Sequence, residues 1–325
     1  MVRQSQTIIK KQQKKKISAI IACYKDTHAI PIMHERLTKT FKKINANYEI
    51  IFVNDGSPDD TELVLNNLVK KDAHIIAINQ ARNFGSQMAF TCGMDNASGD
   101  AVVFLDGDLQ DPPEIIEKFY QKWLEGYDVV YGIRTKREAP VLMTIAYKLF
   151  YRIFHKLSYI RIPLDAGDFS LIDRKVVEVL KQFPERDRFL RGLRAWVGFK
   201  QTGIPYVRPD RQFGRSTNNF LKNFRWATKG IFSFTYVPLE LMTILSLLVF
   251  FIALLGIIFQ IAVRLLFPHA TPNGVTTILI VVLFFGAIQL LGISILGEYI
   301  GKIFEEVKQR PKYVTKSILR KNKTY

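Results

Sequence analysis

The stretch DAVVFLDGDLQDPP, residues 100–113, places an apolar run directly in front of a group of acidic residues. The run itself is rich in β-branched residues and predicts a buried strand. Asp106 and Asp108 follow on either side of a glycine, and Gln110 adds an amide oxygen. Mg²⁺ and Mn²⁺ prefer oxygen ligands and share them with substrate phosphates, so these three residues predict a metal site. The alternative is an acidic turn, because Asp-Gly is a favoured turn dipeptide.

Outward from this stretch, apolar runs alternate with segments of helical spacing, separated by turn residues. The alternation predicts an α/β domain with a largely parallel sheet that helices cover on both faces. In such sheets ligands bind outside the carboxyl ends of the strands. The predicted strands cover residues 17–23, 48–53, 75–79, 100–105 and 127–131, and the predicted helices cover residues 31–44, 58–72, 85–97 and 112–124.

Two further motifs follow predicted strands. In VNDGS, residues 53–57, Asp55 can hydrogen-bond a base or a ribose, and the helix that follows can approach a phosphate with its N-terminus. A plain turn with a helix cap is the alternative. The turn ACYKD, residues 22–26, carries one acid and is a weak signal alone. Cys23 and Cys92 have no Cys or His partner at metal spacing, so we interpret both as small core residues.

Two uncharged apolar runs occupy the last third of the chain. Leu241–Phe259 has 19 residues and Val275–Leu296 has 22, each long enough to cross about 30 Å of hydrocarbon as a helix. A pair of buried core helices is the alternative. The connecting segment has one basic residue, Arg264, whereas both outer flanks are rich in Lys and Arg, which predicts cytoplasmic termini. The basic N-terminus leads into a short apolar run and does not fit a signal peptide.

The net charge of +17 is concentrated at the two ends of the chain. Residues 1–16 carry six basic residues and no acid, and residues 302–325 carry eight basic residues against two acids. The central body is only mildly basic, which argues against a nucleic-acid-binding face. An apolar content of 48% excludes a disordered chain, and two cysteines exclude a disulfide scaffold. Residues 219–235 mix aromatic and basic residues, which predicts an amphipathic helix at the membrane surface, or alternatively a linker packed on the soluble domain.

In order along the chain, several segments together resemble the inverting family 2 glycosyltransferases of GT-A fold, a Rossmann-like architecture. They resemble in particular the polyprenyl-phosphate branch, which includes bactoprenol (undecaprenyl-phosphate) glucosyltransferases and dolichol-phosphate mannose synthases. The sequence departs from the family at Ala22, Lys25 and Asp26, where Pro, Asn and Glu are usual. The matching segments are IIACYKD, IFVNDGSPDDT, ARNFGSQMAFTCGMDNASGD, VVFLDGDLQDPPE, VYGIRTKR, DAGDFSLIDRKV and RQFGRST.

The resemblance implies roles for individual residues. Asp55 would bind the nucleoside in a pocket lined by Ala22, Tyr24 and Asp26. Asp106 would lie beside the nucleotide sugar, as a metal ligand directly or through water, and Asp108 with Gln110 would hold the metal on the diphosphate. Arg82 and Asn83 would close over the nucleotide, and Asp165 and Asp168 would lie near the transferred sugar. Arg134 and Arg152 would bind the acceptor phosphate. Arg211 and Arg215 would belong to a loop that covers the diphosphate.

The implied activity is inverting transfer of a hexose from a nucleotide sugar to polyprenyl phosphate at the cytoplasmic face of the plasma membrane, with Mg²⁺ or Mn²⁺. UDP-glucose is the favoured donor, and GDP-mannose or an amino-sugar donor is the alternative. A non-catalytic membrane scaffold and a processive polysaccharide synthase are the other classes, and the chain lacks the Gln-x-x-Arg-Trp motif of the latter. The branch also implies a homo-oligomer, although the apolar runs carry no heptad pattern.

These inferences divide the chain into five predicted parts. They are a basic N-terminal tail over 1–16, a GT-A domain over 17–217, an amphipathic juxtamembrane helix over 218–236, two transmembrane helices at about 239–263 and 275–297 within 237–300, and a basic cytoplasmic C-terminal tail over 301–325.

Overall fold

The computed structural model describes residues 14–135, 166–210, 213, 235, 237–266, 274–321 and 323–324. The chain divides into two compact units, an α/β unit that includes the residues from Pro311 onward, and a second unit with the apolar helices. The strands of the α/β unit are β1 (Lys16–Cys23), β2 (Asn47–Asn54), β3 (Ile75–Gln80), β4 (Ala101–Asp106), β5 (Val129–Arg134), β6 (Ala166–Asp173), β7 (Gln201–Tyr206), β8 (Thr315–Arg320) and β9 (Lys323–Thr324). Its helices are α1 (Ala29–Lys43), α2 (Thr61–Lys71), α3 (Ser86–Asn96), α4 (Ile116–Leu124), α5 (Arg174–Gln182) and α6 (Leu190–Trp196).

The strands form one sheet in the order β7-β5-β6-β4-β1-β2-β3-β8-β9. The four central strands, from β4 to β3, are parallel to one another, and β6 and β8 add to them in antiparallel orientation. The predicted α/β fold and its parallel central sheet are therefore confirmed. The parallel pairing brings four carboxyl strand ends to one edge, where Ala22 pairs with Asp106 and Cys23 with Asn54.

The central strands are buried on both faces, which explains why their sequences are continuous apolar runs. β1 is buried from Ile17 to Cys23. On one face, α1 packs through apolar side chains spaced three or four residues apart, namely Ile30, Met33, Leu37 and Phe41. On the other face, α3 packs Phe90 against Phe104 of β4, with ring centroids 5.3 Å apart.

The structure corrects the prediction that residues 301–325 form a basic tail. Thr315–Arg320 form β8, which pairs antiparallel with β3 and covers the edge of the parallel sheet. The pairing extends past the strand, because Ala81 N donates a hydrogen bond to the Val314 carbonyl at 2.9 Å. An uncovered β3 would expose a row of backbone donors and acceptors, and pairing with β8 satisfies them.

Basic residues of both predicted terminal tails make contacts inside the α/β unit. Lys16 begins β1, and its ammonium group lies 2.6 Å from a Glu49 carboxylate oxygen. Lys312 donates a hydrogen bond to the Phe183 carbonyl at 2.6 Å, and Lys316 pairs with an exposed carboxylate on α2. Part of the charge at the ends of the chain therefore neutralises groups of the domain itself.

The second unit contains two long apolar helices, α7 (Val237–Leu266) and α8 (Val275–Val307). By length and composition each could cross a membrane, over Val237–Gly256 and Val281–Val307, which overlap the two predicted spans. Thr235 lies at the start of α7, where its hydroxyl accepts a hydrogen bond from Val237 N at 3.0 Å and its carbonyl accepts one from Tyr299 of α8 at 2.9 Å. Apart from Thr235, the predicted juxtamembrane helix over 218–236 lies outside the described residues.

Candidate active site

The predicted acidic motif lies at the carboxyl end of β4, against the turn that follows β1. Gly107 N donates a hydrogen bond to the Ala22 carbonyl at 2.9 Å. A side-chain carbon at Gly107 would lie 2.8 Å from an Asp26 carboxylate oxygen, so only glycine fits this position. Asp26 is buried and accepts a hydrogen bond from Tyr24 N at 2.9 Å. The structure therefore brings the motif together with Ala22, Tyr24 and Asp26.

Asp106 and Asp108 face a common cation, the guanidinium group of Arg208 in the segment after β7. Nη2 of Arg208 lies 4.0 Å from an Asp106 oxygen and 3.9 Å from an Asp108 oxygen. Gln110 belongs to the same turn, where its backbone N–H donates to Asp108 Oδ1 at 3.1 Å and its side-chain amide donates to the Pro209 carbonyl at 3.2 Å. The two carboxylates thus face a position that favours positive charge, and the predicted third ligand lies in the same turn.

The electrostatics of this turn are dominated by negative charge. Burial, together with the carboxylates of Asp111, Asp108 and Asp168, raises the pKa of Asp106 to about 8, and the nearby Arg208 only partly offsets this rise. Like charges at short range disfavour ionisation unless a cation neutralises them. A divalent ion would supply that neutralisation.

The donor set fits a hard divalent ion. Among the described residues no group of three or more His, Cys, Asp or Glu side chains could hold a metal by itself. Two carboxylates and an amide oxygen, with no nitrogen or sulfur donor, match Mg²⁺ or Mn²⁺, which retain waters and take further ligands from substrate phosphates. The site would therefore be completed by the substrate and not by a closed protein cage.

Asp111, Tyr206 and Arg134 form a buried chain beside the acidic turn. The Tyr206 hydroxyl donates to Asp111 Oδ1 at 2.8 Å and accepts from Arg134 Nε at 3.4 Å. Burial raises the pKa of Asp111, and the positive charges of Arg208 and Arg134 oppose that rise. Arg134, predicted to bind the acceptor phosphate, is thereby held at the carboxyl end of β5. Sequence reasoning missed Asp111 and Tyr206, although Asp111 stands inside the LQDPP segment.

Asp168 on β6 joins a third group of side chains. Its Oδ2 accepts hydrogen bonds from Gln87 Nε2 at 3.0 Å and from Arg191 Nη2 at 3.4 Å, whereas its buried Oδ1 has no partner among the described residues. Arg194 lies one helical turn further along α6, where burial lowers its pKa to about 10. Sequence reasoning missed Gln87, Arg191 and Arg194. The signal was present, because arginines recur every third residue in RFLRGLR, residues 188–194.

Asp55 immediately follows β2 and holds the loop in front of α3. Its two oxygens accept hydrogen bonds from Phe84 N at 2.6 Å and Gly85 N at 2.9 Å. Gly56 has φ +60°, and a side-chain carbon there would lie 2.3 Å from the Arg82 carbonyl carbon. Burial raises the pKa of Asp55, and the two backbone donors oppose that rise.

The loop held by Asp55 carries Arg82 and Asn83, both exposed. The Arg82 guanidinium lies 4.0 Å above the Phe84 ring and donates a hydrogen bond to the Asn83 carbonyl at 3.0 Å. The structure brings Asp55, Arg82 and Asn83 together, while their contact with a nucleotide stays a prediction. Four further predicted site residues lie outside the described residues, namely Arg152, Asp165, Arg211 and Arg215.

A parallel sheet that presents paired aspartates at a carboxyl strand end, beside arginines suited to phosphates, is the arrangement expected of a transferase of GT-A fold. Comparison with known families agrees: the glycosyl transferase family 2 model matches residues 18–181, and the chain belongs to that family. The chain is therefore a glycosyltransferase, and the predicted family and fold are confirmed.

Relatives match almost the whole chain, including both apolar helices. The SfII prophage-derived bactoprenol glucosyl transferase of Shigella flexneri is 39% identical over 308 residues, 94% of this chain and 99% of that protein. An uncharacterized glycosyltransferase of Synechocystis sp. is 38% identical over 303 residues, 93% of this chain and 95% of that protein. Among solved structures, a mannosyltransferase from Pyrobaculum calidifontis in complex with GDP-Man and Mn²⁺ is 18% identical, with a TM-score of 0.44 over 60% of this chain and 56% of that one.

Proposed function

We propose that this protein transfers glucose from UDP-glucose to a polyprenyl phosphate, most simply undecaprenyl phosphate, with inversion at the anomeric carbon. The product is a lipid-linked sugar that serves as donor for glycan modification. The observation that carries the proposal is the 39% identity to the bactoprenol glucosyl transferase of Shigella flexneri, which spans the acidic turn and both apolar helices.

The chemistry of the acceptor suits the described site. A hydroxyl acceptor needs a general base, whereas a phosphate monoester has a second pKa of about 6 and is largely dianionic at pH 7. Such an acceptor attacks the anomeric carbon without losing a proton. The enzyme must then hold two anionic substrates side by side, a task for which the planar guanidinium fork is well shaped.

Arg134 is the described candidate for the acceptor phosphate. The Tyr206–Asp111 pair fixes its guanidinium close to the acidic turn. Arg152 is assigned the same role by the family resemblance. In-line attack from this side displaces the nucleoside diphosphate on the other and accounts for inversion.

Asp106, Asp108 and Gln110 are proposed to hold Mg²⁺ or Mn²⁺. The bound ion would supply Lewis-acid stabilisation of the charge on the leaving diphosphate. The protein's own contribution is to present two carboxylates at a fixed strand end, beside the Ala22 turn.

The nucleotide is proposed to bind along the carboxyl ends of β1 and β2. Asp55, Tyr24, Asp26 and the Ala22 backbone would line the nucleoside pocket, with Arg82 and Asn83 closing over it. Asp168, with a buried oxygen that has no hydrogen-bond partner among the described residues, is available to a hydroxyl of the transferred sugar. Asp165 is assigned next to it, and Arg211 and Arg215 over the diphosphate.

We also propose that α7 and α8 span the plasma membrane, with the catalytic unit and both termini in the cytoplasm. The lipid acceptor of the relatives and the scarcity of Lys and Arg between the two helices support this arrangement. The connectivity supports it too, because residues before α7 and after α8 contribute strands to the same sheet. A homo-oligomer rests on the family resemblance alone, and light scattering of the detergent-solubilised protein tests it.

The experiment is a donor panel with one acceptor. Purified protein, undecaprenyl phosphate and Mg²⁺ are incubated with UDP-glucose, GDP-mannose or UDP-N-acetylglucosamine, and lipid products are detected by mass spectrometry. We expect a hexosyl product from UDP-glucose only, with β configuration by NMR. A product from GDP-mannose alone would show that GDP-mannose, and not UDP-glucose, is the donor. The absence of product from every donor would contradict undecaprenyl phosphate as the acceptor. EDTA should stop transfer, and full turnover in EDTA would exclude the metal.

A further inference from the structure

The Arg208 guanidinium lies where the proposed metal ion would be attracted. It is nearly equidistant from Asp106 and Asp108, at 4.0 and 3.9 Å, which is too far for a hydrogen bond to either carboxylate. Arg208 also opposes the negative charge of Asp111. The positive charge of Arg208 therefore interacts with several carboxylates of the acidic turn and forms no close ion pair with Asp106 or Asp108.

The same arginine is incompletely satisfied. Its side chain is only 22% exposed, and its buried Nε has no hydrogen-bond partner among the described residues. A buried donor without an acceptor is unfavourable, so this arrangement favours any change that gives the guanidinium a matched acceptor. A diphosphate is such an acceptor, because its oxygens match the guanidinium fork.

The segment that carries Arg208 is also connected to a proposed metal ligand. The Gln110 side-chain amide donates to the carbonyl of Pro209, the residue next to Arg208. As long as that bond holds, the orientation of Gln110 is tied to the position of residues 207–210. A movement of the backbone of residues 207–210 that carries Arg208 away from the acidic turn would also break the bond from Gln110 to the Pro209 carbonyl.

From this juxtaposition we propose that Arg208 is a tethered cation that occupies the metal position in the nucleotide-free enzyme and moves to the diphosphate when metal and nucleotide bind together. The proposal rests on the metal site of the proposed function and does not depend on the sugar or the lipid. Arg208 competes with a free divalent ion, so the ion alone binds weakly. A nucleoside diphosphate removes this competition, because its oxygens accept hydrogen bonds from the guanidinium group and draw it away from the aspartates. Metal binding and nucleotide binding therefore depend on each other.

The test measures Mn²⁺ binding to the full-length protein in detergent, through the electron paramagnetic resonance signal of free Mn²⁺, with and without saturating UDP or GDP. We expect R208Q to bind Mn²⁺ alone at least tenfold more tightly than the unmodified protein. The increase in Mn²⁺ affinity caused by the nucleotide should shrink by a similar factor. R208K, which keeps the charge, should bind Mn²⁺ alone as weakly as the unmodified protein.

Two controls locate the effect. R36Q removes an arginine that pairs with Glu114 on the surface, and it should leave Mn²⁺ binding unchanged. D108N should abolish Mn²⁺ binding, and unaltered binding in D108N would place the ion elsewhere and overturn the proposal. Equal or weaker binding of Mn²⁺ by R208Q would likewise overturn it and make Arg208 a fixed structural partner of the aspartates.

A measurement on the unmodified protein covers the case in which R208Q fails to fold. Hydrogen–deuterium exchange of peptides that contain residues 207–210 should change when Mn²⁺ and UDP are added together, and not when either is added alone. Unchanged exchange with both ligands would overturn the proposal. Because neither measurement uses a donor sugar or a lipid, loss of this proposal with intact glucosyl transfer leaves the proposed function standing.

Discussion

Acidic side chains at the two ends of the central strands have opposite surroundings. At the amino end, Glu49 accepts hydrogen bonds from Lys16 Nζ at 2.6 Å, Ser18 Oγ at 2.6 Å and the Ser98 backbone N–H at 2.6 Å. At the carboxyl end, Asp106 lies among other carboxylates, and its ion-pair partner is 4.0 Å away. Glu49 is therefore neutralised by donors of the domain itself, whereas the positive charge that faces Asp106 lies too far away for a hydrogen bond.

The pKa values of the two acids differ accordingly. Burial alone would raise the pKa of Glu49, but the hydrogen bonds from Lys16, Ser18 and Ser98 outweigh burial and lower it. Burial and neighbouring carboxylates raise the pKa of Asp106 to about 8. A carboxylate whose hydrogen-bonding capacity is satisfied within the protein stabilises the fold, whereas a carboxylate without such partners can bind a ligand. The comparison predicts that mutations at the two ends separate stability from activity.

The largest effect is expected for Asp108→Asn. Losing one carboxylate removes a ligand of the proposed metal and part of the stabilisation of the leaving diphosphate, so transfer should fall by about 10³-fold. Thermal stability without metal should not fall, because a like charge is removed from the acidic turn. Asp60→Asn, at an exposed position before α2, serves as the matched control. Transfer within tenfold of the unmodified protein, measured with radiolabelled UDP-glucose, would contradict this role.

Glu49→Ala should have the reverse profile. It leaves the donors on Ser18 and Ser98 and the Lys16 ammonium without their acceptor, which typically costs about 3 kcal/mol. For a unit of this size the midpoint of thermal unfolding should fall by roughly 6–12 °C. The KM for the nucleotide sugar should not change in the protein that remains folded. Glu62→Gln, on exposed α2, is the control, and a loss of activity beyond the loss of folded protein would break the comparison.

The pH dependence of stability should also distinguish the amino end. Because the folded-state pKa of Glu49 is lowered from 4.5, its contribution is fully present above about pH 4.5 and is lost as the pH falls through the folded-state value. The stability advantage of the unmodified protein over Glu49→Gln should therefore shrink as the pH falls below about 4.5, toward the folded-state pKa of Glu49. Thermal unfolding at several pH values measures it. If the advantage grows on acidification, the pKa of Glu49 is raised by folding and not lowered, and the prediction is wrong.

The smallest effect is expected for Tyr206→Phe, which removes the hydroxyl that Asp111 accepts from at 2.8 Å. A buried carboxylate then lacks one donor, which typically costs about 1–2 kcal/mol. Since the same hydroxyl bonds Arg134, the KM for the lipid acceptor should rise more than the KM for the nucleotide sugar. Tyr120→Phe on α4 is the matched control. Equal changes in both KM values would indicate a general loss of packing.

Sequence patterns predicted the centre of the sheet well, because its strands are buried on both faces and contain few polar residues. The predicted strand over 100–105 corresponds to Ala101–Asp106, and that over 48–53 to Asn47–Asn54. The acidic turn was predictable for the same reason, since a strand end followed by Asp106 and Asp108 is a local signal. Both inferences use residues that are close together in the chain.

The remaining parts of the site depend on contacts between distant segments. Arg208 meets the acidic turn 100 residues after Asp108 in the chain, and Gln87 meets Asp168 across 81 residues. β8 was missed because Thr315–Arg320 has only two apolar residues, lies in a basic segment and pairs with β3 across 238 positions, from Asn79 to Ser317. No local pattern identifies which distant segment a polar side chain will contact.

The position of β8 has a consequence for how the protein is made. The Asn79 amide donates to Ser317 Oγ at 3.1 Å, a bond between residues 238 positions apart, and both apolar helices lie between them in the chain. During synthesis, β3 emerges early, and its edge stays unpaired until β8 has been synthesised. Closing so long a loop is slow compared with local pairing. The sheet that carries the candidate active site is therefore completed only after both apolar helices have been synthesised.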